Sequence, residues 1–443
     1  MPPPPELRRA VSRGQVVALA LNDVVGSGIY LLPAAAAALL GPASLAAVLL
    51  AGLAVLLIVL CFAEASSRFE GTGGAYLYAR AAFGDLVGFE VGWMTWLARV
   101  ASVASLSAGF AQALSYLLPA AATGTGRALA IALPLEALIA INLIGVRAGA
   151  RTAVALVIAK LVPLGVFVAA GLAAFSPRVL AGQPAVAPDA EGLGEAALLL
   201  LFAYAGFENT PAPAGEFRHP RRDVPRALLT QIGIVTLLYG AVQLVALGTL
   251  PDLGASATPL ADAAAGFLGG WGGWLLTAGA AVSILGTNSA TVLAGPRYLF
   301  ALARDGYGPR ALADVDPRFR TPAMAILLQG AVALPLALSG SFTGLAALSV
   351  IARLASYLGT AAAVPVLRRK LGDQPGGFRL PGGPAIPIAA VLISLGLAAS
   401  AGWKNLLAAG VALLVGLGIY ALRRPAAEHG SPTESRSEPD AGS

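Results

Sequence analysis

Apolar runs of about 20 residues recur from one end of this 443-residue chain to the other. As a helix, a run of that length crosses the roughly 30 Å hydrocarbon core of a bilayer. The chain is 57% hydrophobic and only 12% charged, which excludes a soluble multidomain protein and identifies an integral membrane protein whose solvent is the lipid bilayer. The runs predict an all-α polytopic fold of about twelve spans, near residues 15–38, 44–68, 85–118, 127–146, 152–175, 195–215, 226–250, 274–302, 323–340, 343–367, 384–400 and 404–422. The third is longer than a bilayer requires, so it is tilted or extends into water.

The net charge of +6 does not point to nucleic acid, because in a membrane protein the position of the cations matters more than their sum. With a cytoplasmic N-terminus, 23 of the 29 Lys and Arg fall in inside segments. Three (Arg127, Arg178, Lys404) fall outside and three (Arg99, Lys160, Arg353) lie within spans. That asymmetry predicts a multi-pass protein of the cell membrane with both termini cytoplasmic and an even number of spans. Residues 1–15 are proline-rich and basic, and the apolar run that follows is longer than a signal-peptide core and has no small-x-small cleavage site. Cys61 is the only cysteine, so no intramolecular disulfide can form. The tail over 425–443 is polar, rich in Pro, Ser and Glu, and expected to be disordered.

Two spans carry sequences that an ordinary membrane helix avoids. Val24-Val25-Gly26-Ser27-Gly28-Ile29-Tyr30 sets two glycines and a serine inside the first, and Phe202-Ala203-Tyr204-Ala205-Gly206-Phe207-Glu208 sets a glycine and a carboxylate inside the sixth. Backbone at membrane depth leaves the helix only where it lines a cavity or is buried in protein. A Gly-interrupted span in each half is the sequence pointer to a secondary transporter's binding site. At the first break, freed N–H groups and the positive end of a half-helix suit a substrate carboxylate. At the second, freed carbonyls suit an ammonium group. Close packing of small residues between helices is the plain alternative at the first, and ordinary apolar packing at the second.

Spans one to five and six to ten read as two copies of one unit. Each begins with a broken helix, has a basic loop near it and contains a long third helix. Repeats of five spans necessarily lie in opposite orientations, so the organisation expected is a cytoplasmic segment (1–14), a first five-helix repeat (15–175), an inverted second repeat (195–367), two added helices (384–422) and the tail (425–443). The glycines of the 68–84 loop favour a tight turn, with Tyr76 and Tyr78 suited to an interface. The prolines and arginines of 216–226 suggest a rigid cytoplasmic connector.

Ionisable groups inside spans are costly and usually functional. Lys160 lies about nine residues into span five, too deep to snorkel readily, and a buried ammonium is suited to release and regain a proton. Glu208, just past the second break, must pair, protonate or line a cavity. Asp23 is either a proton or cation partner or simply solvated in a vestibule. Arg99 lies either near the cavity, able to bind a carboxylate or pair with an acid, or at the cytoplasmic end of a tilted helix. Arg353 reads as structural, and Glu136 has no assigned role. Ser283 and Thr287 share a face of span eight and can solvate Lys160 or the substrate, or bond between helices.

Several motifs together resemble the amino acid–polyamine–organocation (APC) superfamily. Gly26-Ser27-Gly28-Ile29-Tyr30-Leu31-Leu32-Pro33 resembles its first-helix signature, and Gly73-Gly74-Ala75-Tyr76-Leu77-Tyr78 its loop after span two. Phe202 to Glu208, Gly215-Glu216 and Pro220-Arg221-Arg222-Asp223-Val224-Pro225-Arg226-Ala227 resemble its sixth helix and connector. Arg297 to Gly306 and Thr321-Pro322 resemble the end of its eighth helix and the loop beyond. The motifs occur in order from about residue 15 to 370.

The resemblance implies an amino acid permease with the LeuT-type five-plus-five inverted repeat, broken in helices 1 and 6. It implies substrate contacts at Val25, Gly26, Ser27, Gly28, Ile29, Phe202, Ala203, Ala205 and Gly206, with Phe202 as an aromatic gate. Gating or coupling would involve Glu208, Lys160, Ser283 and Thr287. The matching lysine of proton-coupled relatives gives Lys160 a proton-carrying role, at a place where sodium-coupled relatives hold a cation. The expectation is alternating-access uptake of a neutral amino acid coupled to protons, because no acid is clearly placed to bind a cationic side chain. An exchanger of cationic amino acids or polyamines is the alternative. An enzyme is not expected: the only histidines are His219 and His429, and neither a metal cluster nor a nucleophile–base pair is visible. A channel is disfavoured because the polar groups cluster at the breaks rather than along a path. No cofactor or nucleic-acid partner is expected, and no sequence feature sets an oligomeric state.

Overall fold

The computed structural model describes residues 11–70, 73–144, 150–214, 217–372 and 377–422. The 425–443 tail, His429, Gly215, Glu216 and residues 1–10 of the N-terminal segment lie outside them.

The first expected span is two helices, α1 (Arg13–Val24) and α2 (Gly28–Leu40), separated by Val25-Gly26-Ser27. Next come α3 (Ser44–Ser67), α4 (Ala75–Phe83), α5 (Asp85–Leu114), α6 (Gly124–Ile144), α7 (Ala150–Ala173) and the short α8 (Pro177–Ala181). The sixth span is α9 (Ala190–Tyr204), which ends at the second break and is followed by a 3-10 turn over Phe207–Asn209. The chain then runs through α10 (Pro220–Thr249), α11 (Pro259–Leu268), α12 (Gly270–Arg304), α13 (Ala323–Ser339), α14 (Phe342–Leu371), α15 (Ala385–Ala399) and α16 (Trp403–Ala421). Among the described residues there is no strand, only a bridge between Val11 and Phe217. Among the described residues, eight helical stretches are long and apolar enough to cross a membrane, and α11, α13 and α15 are shorter apolar helices. The protein is therefore a multi-pass, nearly all-helical membrane protein.

Burial sorts these helices. The helix α5 is enclosed on most sides by α12, α13 and α14, whereas α6 and α16 turn most of their surface outward. The outward faces carry Leu237, Trp274, Leu392 and Leu414, as expected where hydrocarbon is the solvent.

Three local expectations change. Gly74, at φ 54°, turns the chain after residue 72, but α4 follows at once, and Tyr78 is buried rather than interfacial. The Tyr76 hydroxyl donates to Asp305 at the end of α12 (2.7 Å). The basic connector is shorter than expected because α10 begins at Pro220, a first helical position where the missing N–H costs nothing.

Candidate functional site at the two helix breaks

The last α-helical bond of α1 runs from the Val25 N–H to the Leu21 carbonyl (3.0 Å). Beyond it the carbonyls of Asn22 to Gly26 have no helical partner, and side chains from other helices donate to those of Asn22, Val24, Val25 and Gly26. The Lys160 ammonium, on α7 and fully buried, donates to the carbonyls of Asn22 (2.9 Å) and Val25 (3.0 Å) and to the Thr287 hydroxyl (2.9 Å). An ammonium has three N–H donors, so all three are used. The Ser283 hydroxyl donates to the Val25 carbonyl as well (2.9 Å), and that of Thr287 lies 3.2 Å from the Asn22 and Val25 carbonyls. Lys160, Ser283 and Thr287 therefore converge on one unwound segment.

The two breaks touch. Gly206 has φ +126°, and a Cβ on it would fall 2.4 Å from the Asp23 carbonyl oxygen. A Cβ on Gly28 already has little room, since the Ala203 Cα lies 2.8 Å from where it would sit, as close packing of small residues requires. The Tyr239 hydroxyl, on α10, lies 3.2 Å from the Val24 carbonyl and 3.0 Å from that of Ala203, bridging the breaks. Sequence reading missed Tyr239; its signal was a lone tyrosine in an apolar span, which also suits packing.

Polar backbone is left over where the breaks meet. The N–H groups of Gly26 and Ser27 have no acceptor among the described residues, and the carbonyls of Tyr204 and Ala205 receive no donor. The Ser27 hydroxyl is buried and equally unpartnered. Val25, Ile29, Phe202, Ala203 and Ala205 are all buried around these groups, and the Phe202 ring meets Phe342 edge-on at 6.0 Å.

Glu208 closes the second break. One carboxylate oxygen accepts the Gly206 N–H (2.9 Å) and approaches the Tyr357 hydroxyl (3.3 Å), and the other is ion-paired with Arg353. Arg353 also donates to Ser102 (2.5 Å) and Ser349 (3.1 Å), so it clamps the break to α5 and α14. Arg99 is enclosed rather than at a helix end: it is 1% exposed, lies over the Tyr298 ring at 5.6 Å, and its two terminal nitrogens have no partner among the described residues. Asp23 is half-buried, within electrostatic reach of Arg99 and Lys160. Glu136 and His219 are not part of this cluster.

These features define a multi-pass membrane protein with two interrupted helices meeting at a buried polar centre. The chain belongs to the amino acid permease family, whose sequence profile matches residues 12–421; this is a family of transporters rather than enzymes. Three relatives from Bacillus subtilis are similar along most of their length. A branched-chain amino acid permease is 28% identical over 94% of this chain and 93% of the relative. A methylthioribose transporter is 30% identical over 88% and 87%. A serine/threonine exchanger is 29% identical over 93% and 95%.

Proposed function

We propose that the protein carries a neutral amino acid across the cell membrane by alternating access, coupled to protons, on a twelve-span LeuT-type inverted repeat with cytoplasmic termini. The observation that carries this reading is the pair of unsatisfied backbone sets: N–H groups at Gly26 and Ser27, carbonyls at Tyr204 and Ala205. Buried polar groups of this kind demand partners. A zwitterion supplies both, its carboxylate to the first break and its ammonium to the second. The charge balance favours a neutral side chain. Lys160, Arg99 and Arg353 outnumber Asp23 and Glu208 among the ionisable groups around the breaks, so another cation there would be repelled.

Lys160 supports the coupling. As an ammonium it ties two carbonyls of the first break and Thr287. As an amine it keeps two donors, enough for the two carbonyls, so the bond to Thr287 is either released or reversed, with the hydroxyl turning from the Asn22 and Val25 carbonyls to donate to the amine. Proton transfer at one atom thereby changes the hold of α7 on the unwound segment. Exchange is the second reading, favoured by the similarity to a serine/threonine exchanger. The orientation and the repeat rest on the 23-to-3 cation asymmetry and on the order of the broken helices.

The test is competition against labelled uptake of a neutral amino acid in proteoliposomes. Saturable, counterflow-stimulated uptake, inhibited by neutral amino acids and untouched by arginine, lysine or putrescine, is expected. Potent inhibition by those cations would overturn the substrate assignment.

A further inference from the structure

Glu136 lies outside every cluster described above. It sits on α6, twelve residues after Gly124 and eight before Ile144, and its side chain is exposed. At a rise of about 1.5 Å per residue it is roughly 18 Å and 12 Å from the helix ends, beyond the reach of a short carboxylate to either interface. Among the described residues it is the one charged side chain exposed at least eight residues from both ends of a helix. Leu129, Leu133, Ala137, Ala140, Ile141 and Ile144 form the rest of the same outward stripe. Intramembrane carboxylates almost always face the protein interior or find a partner, because lipid offers none.

We infer that α6 is the interface of a homodimer in which Glu136 of one copy hydrogen-bonds Glu136 of the other through shared protons. Two copies in one membrane share an orientation, so their contact is isologous about an axis along the membrane normal, and a residue near that axis meets its own counterpart. A carboxylic acid pair satisfies both groups with no other chain. The stripe fits such a crossing. Small Ala137 and Ala140 sit beside Glu136 and allow close approach, while Leu133 and Ile144 flank them. The other exposed positions of the stripe are apolar, and apolar side chains gain nothing by leaving lipid for one another. The hydrogen-bonding carboxyl is what selects this face over α16.

Cys61 is the only native cysteine, so a Cys61→Ser chain allows site-directed cross-linking in native membranes. Oxidation is expected to join Ala137→Cys or Ala140→Cys chains into dimers, but not chains with Leu392→Cys on the outward face of α15. Adding Glu136→Leu is expected to reduce the joined fraction roughly tenfold, the scale of one interhelical hydrogen bond in a membrane. Glu136→Gln, whose amides can also pair, is expected to retain it. Uptake by the Glu136→Leu chain should be unchanged, which separates lost association from misfolding and from failure of the transport reading. No dimer at 137 or 140, an undiminished dimer in Glu136→Leu, or joining to a different protein would overturn the proposal.

Discussion

Arg353→Ala is expected to lower stability by about 3–5 kcal/mol, the usual cost of removing one member of a buried ion pair. Arg353 is 6% exposed and Glu208 3%, so neither reaches water when the other is gone. The stranded carboxylate also carries the Gly206 N–H, so the loss falls on the second break itself. A denaturant titration in detergent micelles measures it. Making the pair neutral is far cheaper than breaking it: in an Arg353→Met chain, Glu208→Gln removes the stranded charge but keeps an acceptor for Gly206. The double variant should regain at least half of the lost stability. A cost below about 1 kcal/mol for Arg353→Ala, the size of an exposed pair, would mean that the two side chains are solvated.

Gly206→Val carries the second large effect. A left-handed φ strains any residue but glycine by about 1–3 kcal/mol. The added carbon would also fall 2.4 Å from the Asp23 oxygen and 2.8 Å from its carbonyl carbon, both rigid backbone atoms. Overpacking of that kind adds about 1–3 kcal/mol. The backbone must move, and with it the contact between the breaks. Uptake is expected to fall below detection, and Gly206→Ala to act in the same direction. Gly233→Ala, on α10 with nothing within 4 Å of the added carbon, is the matched control and should transport normally. Normal uptake by Gly206→Ala would contradict the close approach of the breaks.

Both breaks were legible because glycine and polar residues inside apolar spans violate a rule that lipid enforces. Lys160 was legible for the same reason. Its carbonyl partners were not: Asn22 and Val25 contribute backbone oxygens, which every residue has, so no side-chain signal marks them, whereas the hydroxyl of Thr287 was visible on the face of span eight. The ion pair of Glu208 with Arg353 joins positions 145 apart in the chain, and nothing local predicts it. Tyr78 was misplaced because an aromatic beside an interface is read as a belt residue, whereas here α4 folds back and buries it. The sixth span was expected to continue as helix to 215, but it gives way to a 3-10 turn after the break, where Glu208 holds the Gly206 N–H. The family follows from the ordered motifs, while the identity of the substrate depends on how buried side chains fill one cavity, which spacing along a chain does not encode.

The most direct test of the coupling is amino-acid uptake into proteoliposomes, with and without an inward-directed proton gradient, by wild type and Lys160→Ala. The account predicts accumulation above equilibrium in wild type only with the gradient, and none in Lys160→Ala, where the Asn22 and Val25 carbonyls lose their shared donor. Wild-type uptake that ignores the gradient and requires internal amino acid would contradict it, making the protein an exchanger and Lys160 a structural tie.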